Sequence, residues 1–167
     1  HVVSPVAVVH DLGPLSIEVA GRTIEGTSIR PRSVALLHYL ATRPRHAATR
    51  DEAIDALWPE AEAQAGLNSL NQAIYHLRRA LDPDYDLALQ EGTPTPYIRH
   101  EAEMVTVNLE LVTFDSARLR STLDGVRRRA RVDQIDDLLD SYLGPFAVEV
   151  PFEPWAEQHR SALDVGI

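Results

Sequence analysis

Five apolar residues, Leu67, Leu70, Ile74, Leu77 and Leu81, follow one another at steps of 3, 4, 3 and 4. Only an α-helix returns such a series to one face, so "LNSLNQAIYHLRRAL" (67–81) reads as a helix with one buried seam. Asn68 is placed to cap its start, and Asp82-Pro83 closes it. The opposite face presents Asn68, Ser69, Gln72, Tyr75, His76 and Arg79, with Asn71 and Arg78 nearer its edges and no acid before Asp82. These groups suit a major groove. Gln and Asn pair bidentately with adenine and Arg with guanine, while Ser, Tyr and His reach phosphates or base edges. A solvated helix face carries the same residue types, so the neighbouring elements decide.

Residues 5–29 alternate and break at Gly13-Pro14, and "GRTIEG" (21–26) is a short strand between turns, which predicts a small antiparallel sheet. "RPRSVALLHYLATRPRH" follows, with Pro31 at a first helical position, Val34, Leu37, Leu40 and Ala41 at helical spacing, and His38 at the core edge. In "TRDEAIDALWP", Thr49 and Glu52 have the spacing of a capping box, Ile54, Leu57 and Trp58 form the apolar face, and Pro59 stops the helix. "EAEAQAG" is a connection. After the seam helix, Leu87–Gln90, Tyr97–His100 and Met104–Leu109 read as strands. Strands, three helices and a hairpin outline a winged helix-turn-helix. From Val112 the texture is helical: Phe114, Leu119, Leu123 and Val126, then Val132 to Leu143, then Phe152, Trp155, His159 and Leu163 after the Gly144-Pro145 break.

Net charge is −9, against the basic balance of a general nucleic-acid coat. Residues 1–111 carry 9 Arg and 15 acids, net −6, and the remainder 7 Arg and 10 acids, net −3. DNA binding therefore needs a local patch acting against the whole-protein field. Arg30 and Arg32, the run Arg43, Arg45, His46 and Arg50, and Arg99 with His100 supply candidates; the run is either a phosphate clamp or a solvated turn. Binding by one copy would be weak and salt-sensitive, which implies a homodimer or tandem sites. Cysteine is absent, excluding disulfides, thiolate nucleophiles and Cys-based zinc sites. No apolar run is long enough to span a membrane and no leader is visible, which points to a cytoplasmic protein. A start at His1 rather than Met is expected of a trimmed chain or of a piece of a longer one.

The segments "LGPLSIEVAG", "RDEAIDALWPE", "LNSLNQAIYHLRRAL", "TFD" (113–115) and "YLGPFAVEVPFEPWAEQHRSAL" resemble the Streptomyces antibiotic regulatory protein family. In that family an OmpR-like winged helix is followed by a bacterial transcriptional activator domain. The resemblance implies an α+β fold: N-terminal antiparallel sheet, three helices and C-terminal hairpin wing over 1–111, then a short all-α TPR-like segment over 112–167. It implies transcription activation at promoter direct repeats, with double-stranded DNA as partner. It puts Gln72, His76 and Arg79 outward for base reading, makes Arg78 a backbone clamp or a structural partner of acids such as Asp55, and gives Arg99 a minor-groove or phosphate role. The chain departs from the family in its short helical segment and in "TPYIRHEAEMVTV", which stands where a "GYRL"-like wing is usual.

No phosphate loop, nucleophile elbow or zinc-protease motif occurs, and the seven His lack ligand spacing, so neither enzyme, metal nor cofactor is expected. "DPDYD" (82–86) lacks the Gly and Glu of a calcium loop and reads as a turn. "VRRRAR" (126–131) is a solvated helix end or a contact for DNA or RNA polymerase, and Asp136, Asp137 and Asp140 form a wet helix face. The rival reading is a winged-helix interaction module without DNA binding, within a larger regulatory chain.

Overall fold

A computed structural model describes residues 5–82, 85, 86, 90, 92, 97–126, 142 and 144–164. In chain order these form β1 (Ala7–His10), β2 (Ser16–Val19), β3 (Arg22–Glu25), α1 (Pro31–Thr42), β4 (Ala47–Thr49), α2 (Arg50–Leu57) and α3 (Ala63–Leu81). Then come β5 (Ile98–Glu101), β6 (Met104–Val107), β7 (Val112–Phe114), α4 (Asp115–Val126) and α5 (Pro154–Asp164). One sheet has the order β3-β2-β1-β7 and the other β4-β6-β5. The first is antiparallel over β1–β3, as the alternation predicts; β7 adds a parallel edge on β1, with Val9 opposite Phe114.

Two hairpins close through residue pairs with positive φ, Ala20-Gly21 (52° and 73°) and Ala102-Glu103 (50° and 64°). That geometry matches the right-handed twist of paired strands. The second turn has no glycine, so its left-handed backbone costs conformational energy. Arg50 offsets part of it: its amide donates to the Glu103 carbonyl at 2.9 Å and its Nη2 to Glu103 Oε1 at 3.1 Å. The wing tip is thus tied to the start of α2.

Helix α1 is the centre of the core. Residues 33–41 are all buried, so its stripe is really a full circumference. Ser33 Oγ donates to the Ala73 carbonyl of α3, Tyr39 meets Trp155 of α5 edge-on, and His38 meets Phe146. His38 is fully buried rather than at the core edge; its Nε2 lies 2.9 Å from Glu149 Oε1, whose other oxygen accepts from the Leu15 amide. Thr49 and Glu52 form the capping box that their spacing predicts, with both reciprocal bonds present.

Helix α3 starts at Ala63, five residues before the predicted cap. Asn68 lies inside it, accepting a bond from Gln64 one turn back. "AEAQAG" carries no cap signal, and Gly66 serves packing rather than termination: a Cβ there would lie 2.6 Å from Ile54 Cγ2 of α2. Leu70, Ile74, Leu77 and Leu81 are fully buried, as the seam requires, while Leu67 is half-buried.

Phe114 belongs to strand β7, not to a helix, because its backbone pairs with β1. Strand β4 is not among the strands that the sequence predicts; its three residues pair with β6. Gln90, expected in a strand, is helical, and the rest of Leu87–Gln90 lies outside the described residues, as do Arg127–Arg131, Asp136, Asp137 and Asp140. Phe152 is 95% exposed, whereas Trp155, His159 and Leu163 are buried.

Candidate nucleic-acid interface

The seam of α3 faces α1 and the wing, which turns Asn68, Asn71, Gln72 and Arg79 to solvent and leaves Ser69, Tyr75, His76 and Arg78 half-buried. Two shallow clefts flank His76. One, about 320 Å³, is lined by Arg30, Arg32, Trp58, Ser69, Gln72 and His76; the other, about 270 Å³, by Ser28, Arg30, His76 and Arg79. Arg30 caps the N-terminus of α1 with its backbone and borders both, so a guanidinium and a helix N-terminus sit beside the polar face of α3.

The candidate residues divide by their partners. Arg78 Nε donates to the Ile98 carbonyl at 3.0 Å, linking α3 to the first strand of the wing. Arg79 pairs with Asp86 at 3.3 Å, and the Tyr75 hydroxyl donates to the same carboxylate at 2.8 Å, which holds the Tyr75 proton more firmly than usual. Tyr75 also packs against His76 and Tyr85. Asp86 thus engages both residues; part of its 82–86 stretch lies outside the described residues. Arg50 pairs with Glu103, and Arg99 lies exposed on β5 opposite Thr106.

Burial lowers the pKa of His100, and the nearby Arg50 and Arg78 guanidiniums lower it further. Of the other basic groups, Arg32 Nη1 donates to the Leu57 carbonyl and lies 3.9 Å from Glu153. Arg43 and His46 sit at the far end of α1 from Arg30, in a different cleft. The sequence offered no signal for that second grouping, because Arg120 and His159, which complete it, stand far apart along the chain.

Residues 25–90 match the family model described as "Transcriptional regulatory protein, C terminal". No curated protein sequence matches the chain. A solved structure, Mycobacterium tuberculosis EmbR in complex with a low-affinity phosphopeptide, is similar with a TM-score of 0.64 at 19% identity over 97% of this chain. The chain spans 42% of the length of that protein. No helix among the described residues is long and apolar enough to cross a membrane. The fold is that of an OmpR-like winged helix-turn-helix, the part of it over residues 25–90 being similar to the C-terminal domain of transcriptional regulatory proteins.

Proposed function

We propose that the chain is a sequence-specific DNA-binding transcription regulator that lays α3 in the major groove. The observation that carries this reading is the exposed polar face of α3 beside clefts lined by Arg30. Gln72 and Arg79 meet base edges; Asn68, Ser69, Tyr75 and His76 meet edges or phosphates; Arg50 and Arg99 take phosphates; Arg78 holds the wing against α3. The resemblance to the antibiotic regulatory proteins favours activation at direct repeats, with residues 1–111 binding DNA and 112–167 forming an interaction arm. A second copy of the chain and RNA polymerase are the partners this implies.

The test is selection from a randomised duplex library, followed by fluorescence anisotropy across a salt series. Selected repeats are expected to bind with a steep negative salt slope. Gln72→Ala and Arg79→Ala should each weaken selected sites by about tenfold or more, the effect of losing one bidentate base contact. Arg99→Ala should weaken all sequences alike and reduce the salt slope by about one. Failure to enrich any sequence at low salt would sink the proposal. The engagement of Tyr75 and Arg79 by Asp86 favours a second reading, an interaction module. Under it, replacing Gln72, His76 and Arg79 together by Ala leaves DNA affinity unchanged.

A further inference from the structure

At the C-terminal end of α1 a cleft of about 840 Å³ opens between α1, α4 and α5. Its volume lies within the range of small-molecule sites. Its walls carry Arg43, His46, Arg120 and His159, together with Ser121 and a single acid, Asp124. Among the described residues, no carboxylate lies within salt-bridge distance of Arg43 or Arg120, although acids outnumber Arg in the whole chain. The Arg43 guanidinium is held over the Tyr39 ring at 5.2 Å, and its Nε donates to Thr42 Oγ1. Arg120 Nη1 lies 3.5 Å from His159 Nδ1.

His159 is the second observation. It is buried, its ring packs edge-on to Phe146, and its Nε2 has no hydrogen-bond partner. A buried polar atom left without a partner costs free energy and calls for an explanation. Burial first, then Arg120, His46 and Arg43, push its pKa down to about 4, so near neutral pH the His159 ring is uncharged and the cleft's positive charge comes from its two arginines. A protein of net charge −9 has no need of such a concentration for solubility.

We infer that this cleft binds a small molecule through a phosphoryl group held between Arg43 and Arg120. Two guanidiniums from different elements fit a tetrahedral dianion by charge-assisted, forked hydrogen bonds. The cleft joins α1, the helix whose other end borders the α3 face, to α4 and α5, so a bound anion fastens that arm to the winged helix. The inference stands independently of the DNA reading, since none of its residues lies on α3 or the wing.

The test is isothermal titration of the full chain with inorganic pyrophosphate and, separately, ribose 5-phosphate, each against citrate as a polycarboxylate control. Arg43→Gln and Arg120→Gln are the site variants, and circular dichroism checks that each is folded. Arg79→Gln and Arg99→Gln test for binding at the α3 face. Saturable binding of either phosphate compound, weakened about tenfold or more in at least one site variant and unchanged in the α3-face variants, supports the inference. Pyrophosphate alone identifies a free anion; ribose 5-phosphate alone or more tightly identifies a phosphorylated metabolite. No saturable binding of either, equal binding of citrate, or affinities unchanged in both site variants would overturn it.

Discussion

Asp86 is the residue most at odds with a DNA-reading face. It accepts the Tyr75 hydroxyl and pairs with Arg79, so a duplex approaching α3 meets a carboxylate where it needs a cation. The Arg79–Asp86 pair is about half exposed on each side, and such pairs contribute roughly 0–1 kcal/mol. Asp86→Asn is therefore expected to leave thermal stability nearly unchanged while strengthening duplex binding several-fold at low salt. Anisotropy titrations of the two proteins at 50 and 200 mM salt would check it: the advantage should shrink at the higher salt. Equal affinities at both concentrations would show that Asp86 already stands clear of the duplex. The outward placement of Gln72 and Arg79 was legible in the sequence because a 3–4 seam fixes the phase of every other position on the helix. The partners of Arg78 and Arg50 were not, because a wing carbonyl and a wing glutamate arrive from 20 and 53 residues away.

At the scale of elements, the helix-turn-helix depends on how closely α2 and α3 approach. Gly66 allows that approach, since a methyl group there would meet Ile54 Cγ2 at 2.6 Å. Gly66→Ala improves helix propensity by up to about 1 kcal/mol, but overpacking against a β-branched side chain costs about 1–3 kcal/mol. The net outcome is a lower Tm, by a few degrees, and a larger loss of duplex affinity as α3 tilts from α2. Gly66→Ala combined with Ile54→Leu, which removes the branching γ carbon that the new methyl meets, should recover part of the Tm; a single variant more stable than the parent would refute the close crossing. The start of α2 was legible because the Thr49–Glu52 box is a local code, complete within four residues. The start of α3 was not, since its first turn has no side-chain cap and takes its place from packing. Strands β4 and β7 are three residues each and exist only through pairing with β6 and β1, so no local pattern announces them.

Across the whole molecule, the segment after Val112 is fastened to the winged helix by buried polar ties as well as by apolar contacts. Asp11, fully buried at the end of β1, accepts from the Ser116 amide at 2.8 Å and from the Ser116 hydroxyl, at the start of α4. Beside it His10 Nδ1 lies 2.7 Å from Asp115 Oδ2. A sequence in which Asp11 and Ser116 stand 105 residues apart gives no hint of this bond. Burial, only partly countered by the two Ser116 bonds, raises the Asp11 pKa from 3.8 to about 6. The sign of its effect follows from linkage. Between pH 4 and 6 the unfolded chain has already lost this proton while the folded chain retains it, so stability falls as pH rises through that window. A shift of that size corresponds to about 3 kcal/mol, fully expressed above pH 6. Asp11→Asn removes the titration and keeps an acceptor for the Ser116 amide, while its amide group donates to the Ser116 oxygen. Urea unfolding of both proteins from pH 4 to 8 isolates Asp11 together with its electrostatic partners His38 and Asp115, because groups not coupled to it cancel in the difference. The variant should gain on the parent by about 3 kcal/mol between pH 4 and pH 7 and then hold a constant lead. Parallel curves across the whole range would mean that Asp11 titrates alike in the folded and unfolded chains, and that the junction between β1 and α4 admits water.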